Sequence, residues 1–185
     1  GQLECLRYLA ERGCPWDITT CMAAVEEGHL NCLRFAVEHG CHWDSYVILM
    51  FAIIHNQSEC FYYAVDHYRP LDKSISMLAA EYGRLDILRY LIQHQCPVYT
   101  SRIIYFTARN GQTECLRYLL SENRYSWNEA AISTAAEGGH LECLRLLLEH
   151  SGNNRRWCGL SIFNLFTRKS TRIIDNAASF GKLEC

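Results

Sequence analysis

The sequence contains no run of about 18 consecutive apolar residues, which argues against a membrane-spanning helix. Neither charge is in large excess. Lys and Arg number 18 against 20 Asp and Glu, for a net charge of −2, so the chain as a whole is no basic nucleic-acid binder. Several enzyme signatures are missing. There is no Gly-x-x-x-x-Gly-Lys-Ser/Thr phosphate loop, no Gly-x-Gly-x-x-Gly, no His-Glu-x-x-His and no Gly-x-Ser-x-Gly elbow. The carboxylates fall at cap and outer-face positions, so no pair is poised for acid–base work. These absences predict a protein that is not an enzyme and carries no cofactor. No apolar segment with a cleavage site opens the chain. The first residue is Gly1, not Met, so a missing N-terminus is expected and targeting is unreadable.

Apolar residues make up 49% of the 185, enough to bury a core and to exclude disorder. Cysteine is abundant, with 11 residues, an odd number. Secreted disulfide frameworks are usually short, loop-rich and even-numbered. The cytoplasm or another reducing compartment is expected instead, because the cysteines have a packing explanation.

A phrase recurs along the chain. Gly1-Gln-Leu-Glu-Cys-Leu-Arg-Tyr-Leu9 returns as Gly28-His-Leu-Asn-Cys-Leu-Arg-Phe-Ala36, Asn56-Gln-Ser-Glu-Cys-Phe-Tyr-Tyr-Ala64 and Gly83-Arg-Leu-Asp-Ile-Leu-Arg-Tyr-Leu91. It returns again from Gly111, from Gly139 and, incompletely, from Gly181. Successive starts are 27, 28, 27, 28, 28 and 42 residues apart. Each phrase reads as a helix: Leu30, Cys32, Leu33, Ala36 and Val37 form one stripe at helical spacing. Glu4 with Arg7, Glu114 with Arg117 and Glu142 with Arg145 sit on its polar side. A second helix precedes each phrase, capped by Asp17, Asp44 or Asp72. Its inner face carries small or β-branched residues such as Ala24-Val25, Ala52-Ile53, Ala79-Ala80, Thr107-Ala108 and Ala135-Ala136. Gly28, Gly83, Gly111 and Gly139 turn one helix into the next. Such a hairpin cannot bury its apolar stripe alone, and stacking in register buries it.

Ala135-Ala-Glu-Gly-Gly-His-Leu-Glu-Cys-Leu-Arg-Leu-Leu-Leu-Glu-His150 resembles the ankyrin-repeat pattern Ala-Ala-x-x-Gly-His-x-x-Val-Val-x-x-Leu-Leu. The resemblance spans nearly the whole chain. The phrase Gly13-Cys-Pro-Trp-Asp17 is similar to short ankyrin-like arrays of protist and large DNA-virus proteins. A standard unit has about 33 residues. The shorter unit here lacks the β-turn finger, a common binding element of the family. The expected fold is therefore all-α, an ankyrin-like helical-hairpin solenoid of about six helix pairs lacking long β-turn fingers. Its array covers residues 1–150, an irregular basic insertion covers 151–170, and a further repeat starts at 171–185. Both ends fall inside a repeat, so a longer array, or neighbouring chains that cover the ends, is expected.

The resemblance places Cys5, Cys32, Cys60, Cys115, Cys143 and Cys185 in a buried column that Ile87 shares. Cys14, Cys41 and Cys96 fall in a second one. Trp16 and Trp43 are expected as core between units. Cys32, His39, Cys41 and His42 lie close in sequence, and His29 with Cys32 and His140 with Cys143 are three apart. These sets follow the repeat, so no zinc site is expected. Cys21 and Cys158 stand outside the two columns and are the thiols to suspect of a redox role.

The positions just before each turning Gly face the concave side in ankyrins and vary here. They make Glu26, Ile54, His55, Glu81, Tyr82, Arg109 and Asn110 candidate partner contacts. Met22, Met50, Met77 and Tyr105 form another column, read as core. Residues 151–185 hold 6 Lys and Arg against 2 Asp and Glu. Arg155, Arg156, Arg168, Lys169 and Arg172 form a basic patch with no acidic neighbour between Glu149 and Asp175. The function expected is non-enzymatic protein binding, as a scaffold, adaptor or structural subunit of a larger assembly. Two alternatives stay open. One is docking of RNA or anionic lipid through the basic 155–172 segment. The other is a metal- or redox-responsive cysteine protein.

Overall fold

A computed structural model describes residues 2–67, 71–100 and 102–152. It contains α1 (Leu3–Glu11), α2 (Ile18–Glu26), α3 (Leu30–Glu38), α4 (Ser45–Ile54), α5 (Ser58–Val65) and α6 (Lys73–Glu81). There follow α7 (Leu85–Gln93), α8 (Ile103–Arg109), α9 (Thr113–Ser121), α10 (Glu129–Glu137) and α11 (Leu141–Gly152). Among the described residues there is no strand, and the fold is all-helical as expected. α1 is the second helix of its repeat; α2 with α3, and each later couple through α11, make a hairpin.

The short helices start and stop where local chemistry dictates. Asp17 accepts the Thr19 N–H at 2.9 Å, and Asp44 accepts those of Tyr46 at 2.9 Å and Val47 at 3.2 Å. Asp72 accepts the Ser74 N–H at 2.9 Å, and Asn128 accepts that of Ala130 at 3.1 Å. Each satisfies a backbone donor that the helix leaves orphaned. At the other end, Gly28 takes φ +73° while its N–H bonds the Val25 carbonyl. The His29 N–H then reaches Ala24 O at 2.7 Å, which completes a Schellman closure. The Gly-Cys phrases are the same device on the second helix. Gly40 takes φ +79°, and the Cys41 N–H bonds Ala36 O at 2.9 Å. Asn56, Gln95 and Asn123 hold the left-handed position without being glycine.

The chain divides into two compact units. The first comprises the described residues of Gly1–Ala79 and Asp86–Pro97, the second those of Ala80–Leu85 and Val98–Cys185. In the first, α2 packs on both α3 and α4, α4 on α5, and α3 on α1 and α5. Val25, Leu33, Ile48, Leu49, Ile53 and Phe61 are fully enclosed there. In the second, α8 packs on α9 and α10, and α11 on α9 and α10. Ile103, Ile104, Leu116 and Leu119 are among its enclosed residues. The small residues expected on the inner face of the first helices, Ala24, Ala52, Ala79, Ala80, Ala108, Ala135 and Ala136, are all buried. Without a long side chain there, neighbouring helices approach closely enough to exclude water.

Two expectations need correction. The first cysteine column is buried at Cys32, Cys60, Cys115 and Cys143, beside Ile87, but Cys5 is exposed. α1 has no buried residue, because among the described residues no preceding first helix covers it. In the second column Cys41 is buried, Cys96 is half-buried and Cys14 is exposed. Nor are Trp16 and Trp43 enclosed core. Both are half-buried, Trp16 edge-on to Phe35 at 6.0 Å and Trp43 stacked with Tyr63 at 6.0 Å. They lie against the second helix of the next repeat, so they do bridge repeats, but only half-buried. Cys158, Cys185, the 151–170 insertion beyond Gly152, the 171–185 repeat and the five basic-patch residues lie outside the described residues.

Candidate functional site

The candidate contacts cap the first helix of each hairpin, and the next hairpin fixes their backbone. Gln57 donates its Nε2 to the Glu26 carbonyl at 3.1 Å. Gln112 does the same to Glu81 at 3.2 Å, and His140 bonds the Arg109 carbonyl through Nε2 at 3.0 Å. Each bond runs from the residue after a turn to the end of the first helix one hairpin earlier. That helix end would otherwise leave a carbonyl without an intrahelical donor. The latch also explains the glycines. A Cβ on Gly28 would lie 2.8 Å from Gln57 Cδ, one on Gly83 2.6 Å from Gln112 Cδ, and one on Gly111 2.7 Å from His140 Cε1. Glycine there adopts the positive φ without strain and leaves free the space that the latch occupies.

The sequence pattern missed this latch, though a signal existed. His29, Gln57, Arg84, Gln112 and His140 share one column, and every one carries a side-chain N–H donor. The column is chosen for donating, not for binding metal.

The side chains at the candidate positions differ in exposure. Glu26, Arg109 and Asn110 are exposed, and Tyr82 is 40% exposed. Ile54, His55 and Glu81 are half-buried, and His55 stacks on Phe51 with ring centroids 5.4 Å apart. Asn110 donates Nδ2 to Phe106 O at 3.0 Å, which turns its head back on its own helix. In the first unit α2 packs on α4, which puts Glu26 and Ile54-His55 at the same end of neighbouring helices. In the second unit the ends of α6 and α8 carry Glu81-Tyr82 and Arg109-Asn110, joined by the latches from Gln112 and His140. Met22, Met50, Met77 and Tyr105 are all half-buried.

The opposite, second-helix side carries a different pattern. In the first unit the Arg7 guanidinium lies 5.6 Å from the Phe35 ring centre, and Arg34 lies 5.5 Å from that of Tyr63. Each ring also meets, at a tilt, the histidine one turn later, with centroids 3.9 Å apart for His39 and 4.8 Å for His67. Those histidines bond the carbonyls of Phe35 and Tyr63 through Nδ1 at 2.8 and 2.9 Å. The outer Glu–Arg pairs form as expected, at 3.9 Å for Glu4–Arg7, 3.8 Å for Glu114–Arg117 and 2.9 Å for Glu142–Arg145. All are solvent-exposed and contribute little beyond solubility.

Among the described residues, no three His, Cys, Asp or Glu side chains converge where they could hold a metal ion. No helix among them is long and apolar enough to cross a membrane. A groove of about 260 Å³ lies at the ends of α9 and α11, lined by Arg117, Leu120, Ser121, Leu146, Glu149 and His150. Burial raises the thiols of Cys21, Cys60 and Cys143 above their ordinary value. Burial pushes Cys60 up to about 11, with the nearby Glu59 adding to it, and burial together with the neighbouring Cys41 pushes Cys21 up to about 12. Such thiols behave as small hydrophobes. Asp17 is shifted the other way, below the usual carboxylate range, by hydrogen bonds from the Thr19 hydroxyl and N–H.

A family model of ankyrin repeats, in three copies, matches residues 22–103, 49–128, 76–157 and 104–185. No curated protein matches the chain.

Proposed function

The chain belongs to the ankyrin-repeat family, and from that premise we propose that it is a protein-binding scaffold or adaptor that acts without catalysis. Ankyrin repeats generally mediate protein–protein interaction. One observation carries the reading to particular residues. The backbone at Glu26, Glu81 and Arg109 is pinned by the next hairpin, while the side chains there and beside them follow no packing rule. A backbone held in place before binding lowers the ordering cost of binding. In each unit the contacts are these helix ends: Glu26, Ile54 and His55 in the first, Glu81, Tyr82, Arg109 and Asn110 in the second. Met and aromatic residues one to two turns earlier back them.

The test is capture of partners from native extract, followed by Ile54→Ala, Tyr82→Ala and Arg109→Ala together. Binding should fall at least about tenfold with the melting transition retained. Unchanged affinity of the triple variant removes these helix ends as the contact surface.

The charge contrast along the chain favours a second reading. The basic stretch Arg155, Arg156, Arg168, Lys169 and Arg172 docks a polyanion, RNA or anionic lipid. Its binding would weaken steeply with salt, and neutralising Arg155, Arg156, Arg168 and Lys169 would abolish that dependence.

A further inference from the structure

We propose that Cys21 and Cys41 form an oxidisable dithiol, a modification site at which a small peroxide or a low-molecular-weight disulfide closes a bond between the first helix of one repeat and the loop that leads into the next. Their sulfurs lie 3.5 Å apart. Cys21 is in the first turn of α2; Cys41 is in the loop that leads from α3 to α4. Nothing in the repeat requires this meeting. Counted back from each turn, the position of Cys21 holds Leu49, Ser76, Ile104 and Ile132 in the other hairpins. Where the loop thiol recurs, as Cys96, its counterpart on the helix is Ser76, whose hydroxyl donates to the Pro97 carbonyl at 3.1 Å. The second repeat alone among these sets thiol against thiol.

The pair is enclosed, with Cys21 0% and Cys41 4% exposed, so its chemistry depends on the loop. Cys41 is flanked by exposed Gly40 and exposed His42. A Cβ on Gly40 would meet nothing within 4 Å, so that side of the loop is uncrowded. Cys41 is therefore the entry point. Its thiol donates to the Asp17 carbonyl at 3.0 Å and receives the Cys21 thiol. Cys41, as thiolate, attacks one oxygen of hydrogen peroxide. The O–O bond breaks, the other oxygen leaves as hydroxide and takes up a proton to become water, and Cys41 becomes a sulfenic acid. The Cys21 sulfur then attacks that sulfur, the S–O bond breaks, and the hydroxyl leaves as a second water with the Cys21 proton. Two thiols are oxidised by two electrons and one peroxide is reduced. The sulfurs must close from 3.5 Å to about 2 Å. The product ties α2 to the segment entering α4, so it fixes the spacing between two helices whose far ends carry Glu26 and Ile54.

The test oxidises the full chain natively with stoichiometric hydrogen peroxide, in a Cys5→Ser/Cys14→Ser background that removes the two thiols exposed among the described residues. Remaining thiols are alkylated, and peptides are mapped without reduction. We expect peptides joined through Cys21 and Cys41, about 2 Da lighter than their reduced sum, with Cys32, Cys60 and Cys143 alkylated only after unfolding. Oxidised protein should melt at a higher temperature than reduced protein. Cys21→Ile installs the residue that Ile104 and Ile132 hold in later hairpins, and should abolish both the cross-link and the melting shift. Cys41→Ala is the second variant and should behave alike. Recovery of Cys21 and Cys41 as unlinked thiols, or of Cys41 bonded to any other cysteine, overturns the proposal.

Discussion

The carboxamide of Gln112 fills the space a Cβ on Gly83 would take, and donates from there to the Glu81 carbonyl at 3.2 Å. One residue thus excludes a side chain from the turn before it and holds the helix end that the turn follows. The same arrangement joins Gln57 to Gly28 and His140 to Gly111.

Two glycines separate the effects in this arrangement. Gly13 and Gly83 share nearly the same backbone, φ +71° and +69°, but a Cβ on Gly13 meets nothing within 4 Å. Gly13→Ala should cost the left-handed strain alone, about 1–2 kcal/mol. Gly83→Ala should lose the latch as well, a further 1 kcal/mol or so. Chemical denaturation of both, with Gln112→Ala alone and combined with Gly83→Ala, measures the coupling. A coupling energy near zero refutes the latch.

Removing the Asp44 cap should destabilise without touching any packing. Its carboxylate accepts two backbone N–H bonds at the start of α4. Asp44→Ala should lose about 1 kcal/mol in urea unfolding, whereas Asp44→Ser should lose only a few tenths. Equal losses for both would mean that the carboxylate matters for some other reason.

The thiol at Cys60 should make stability fall in alkali. Its folded-state pKa is raised to about 11 from an ordinary value of 9.0, chiefly by burial and secondarily by Glu59. A folded pKa above the unfolded one means the native state keeps a proton the unfolded chain releases. The contribution is complete below pH 9 and is lost as pH rises through about 11, worth roughly 2–3 kcal/mol at most. Cys60→Val should keep neutral-pH stability within about 1 kcal/mol and flatten the decline between pH 9 and 11. An unchanged slope in the variant assigns the decline to other groups.

Phe61 and Trp43 are aromatic neighbours of Tyr62 and Tyr63 but differ in burial. Phe61 is 0% exposed, Trp43 only half-buried. Phe61→Ala should cost about 3–5 kcal/mol; Trp43→Ala should cost clearly less. Thermal unfolding of the two variants ranks them, and the reverse order would restore Trp43 to the enclosed core.

The hairpins were legible because apolar spacing, side-chain caps and turning glycines agree at most repeats, and each acts within a few residues. Cys14 and Cys41 show the limit. They occupy the same Gly-Cys phrase and the same backbone closure, yet one is exposed and the other buried. Burial depends on what stacks above, which no local phrase encodes. For the same reason the meeting of Cys21 with Cys41 was hidden: the two belong to different columns, and only the packing of α2 on α4 brings them together. The candidate contacts were legible as variable positions, but not the backbone bonds that steady them. The basic patch was legible as charge alone.

Each latch reaches one hairpin back and no further. A defect at one junction therefore leaves the hydrogen bonds of the others intact. Within a unit, such a molecule comes apart like a zip, tooth by tooth from whichever hairpin is least covered.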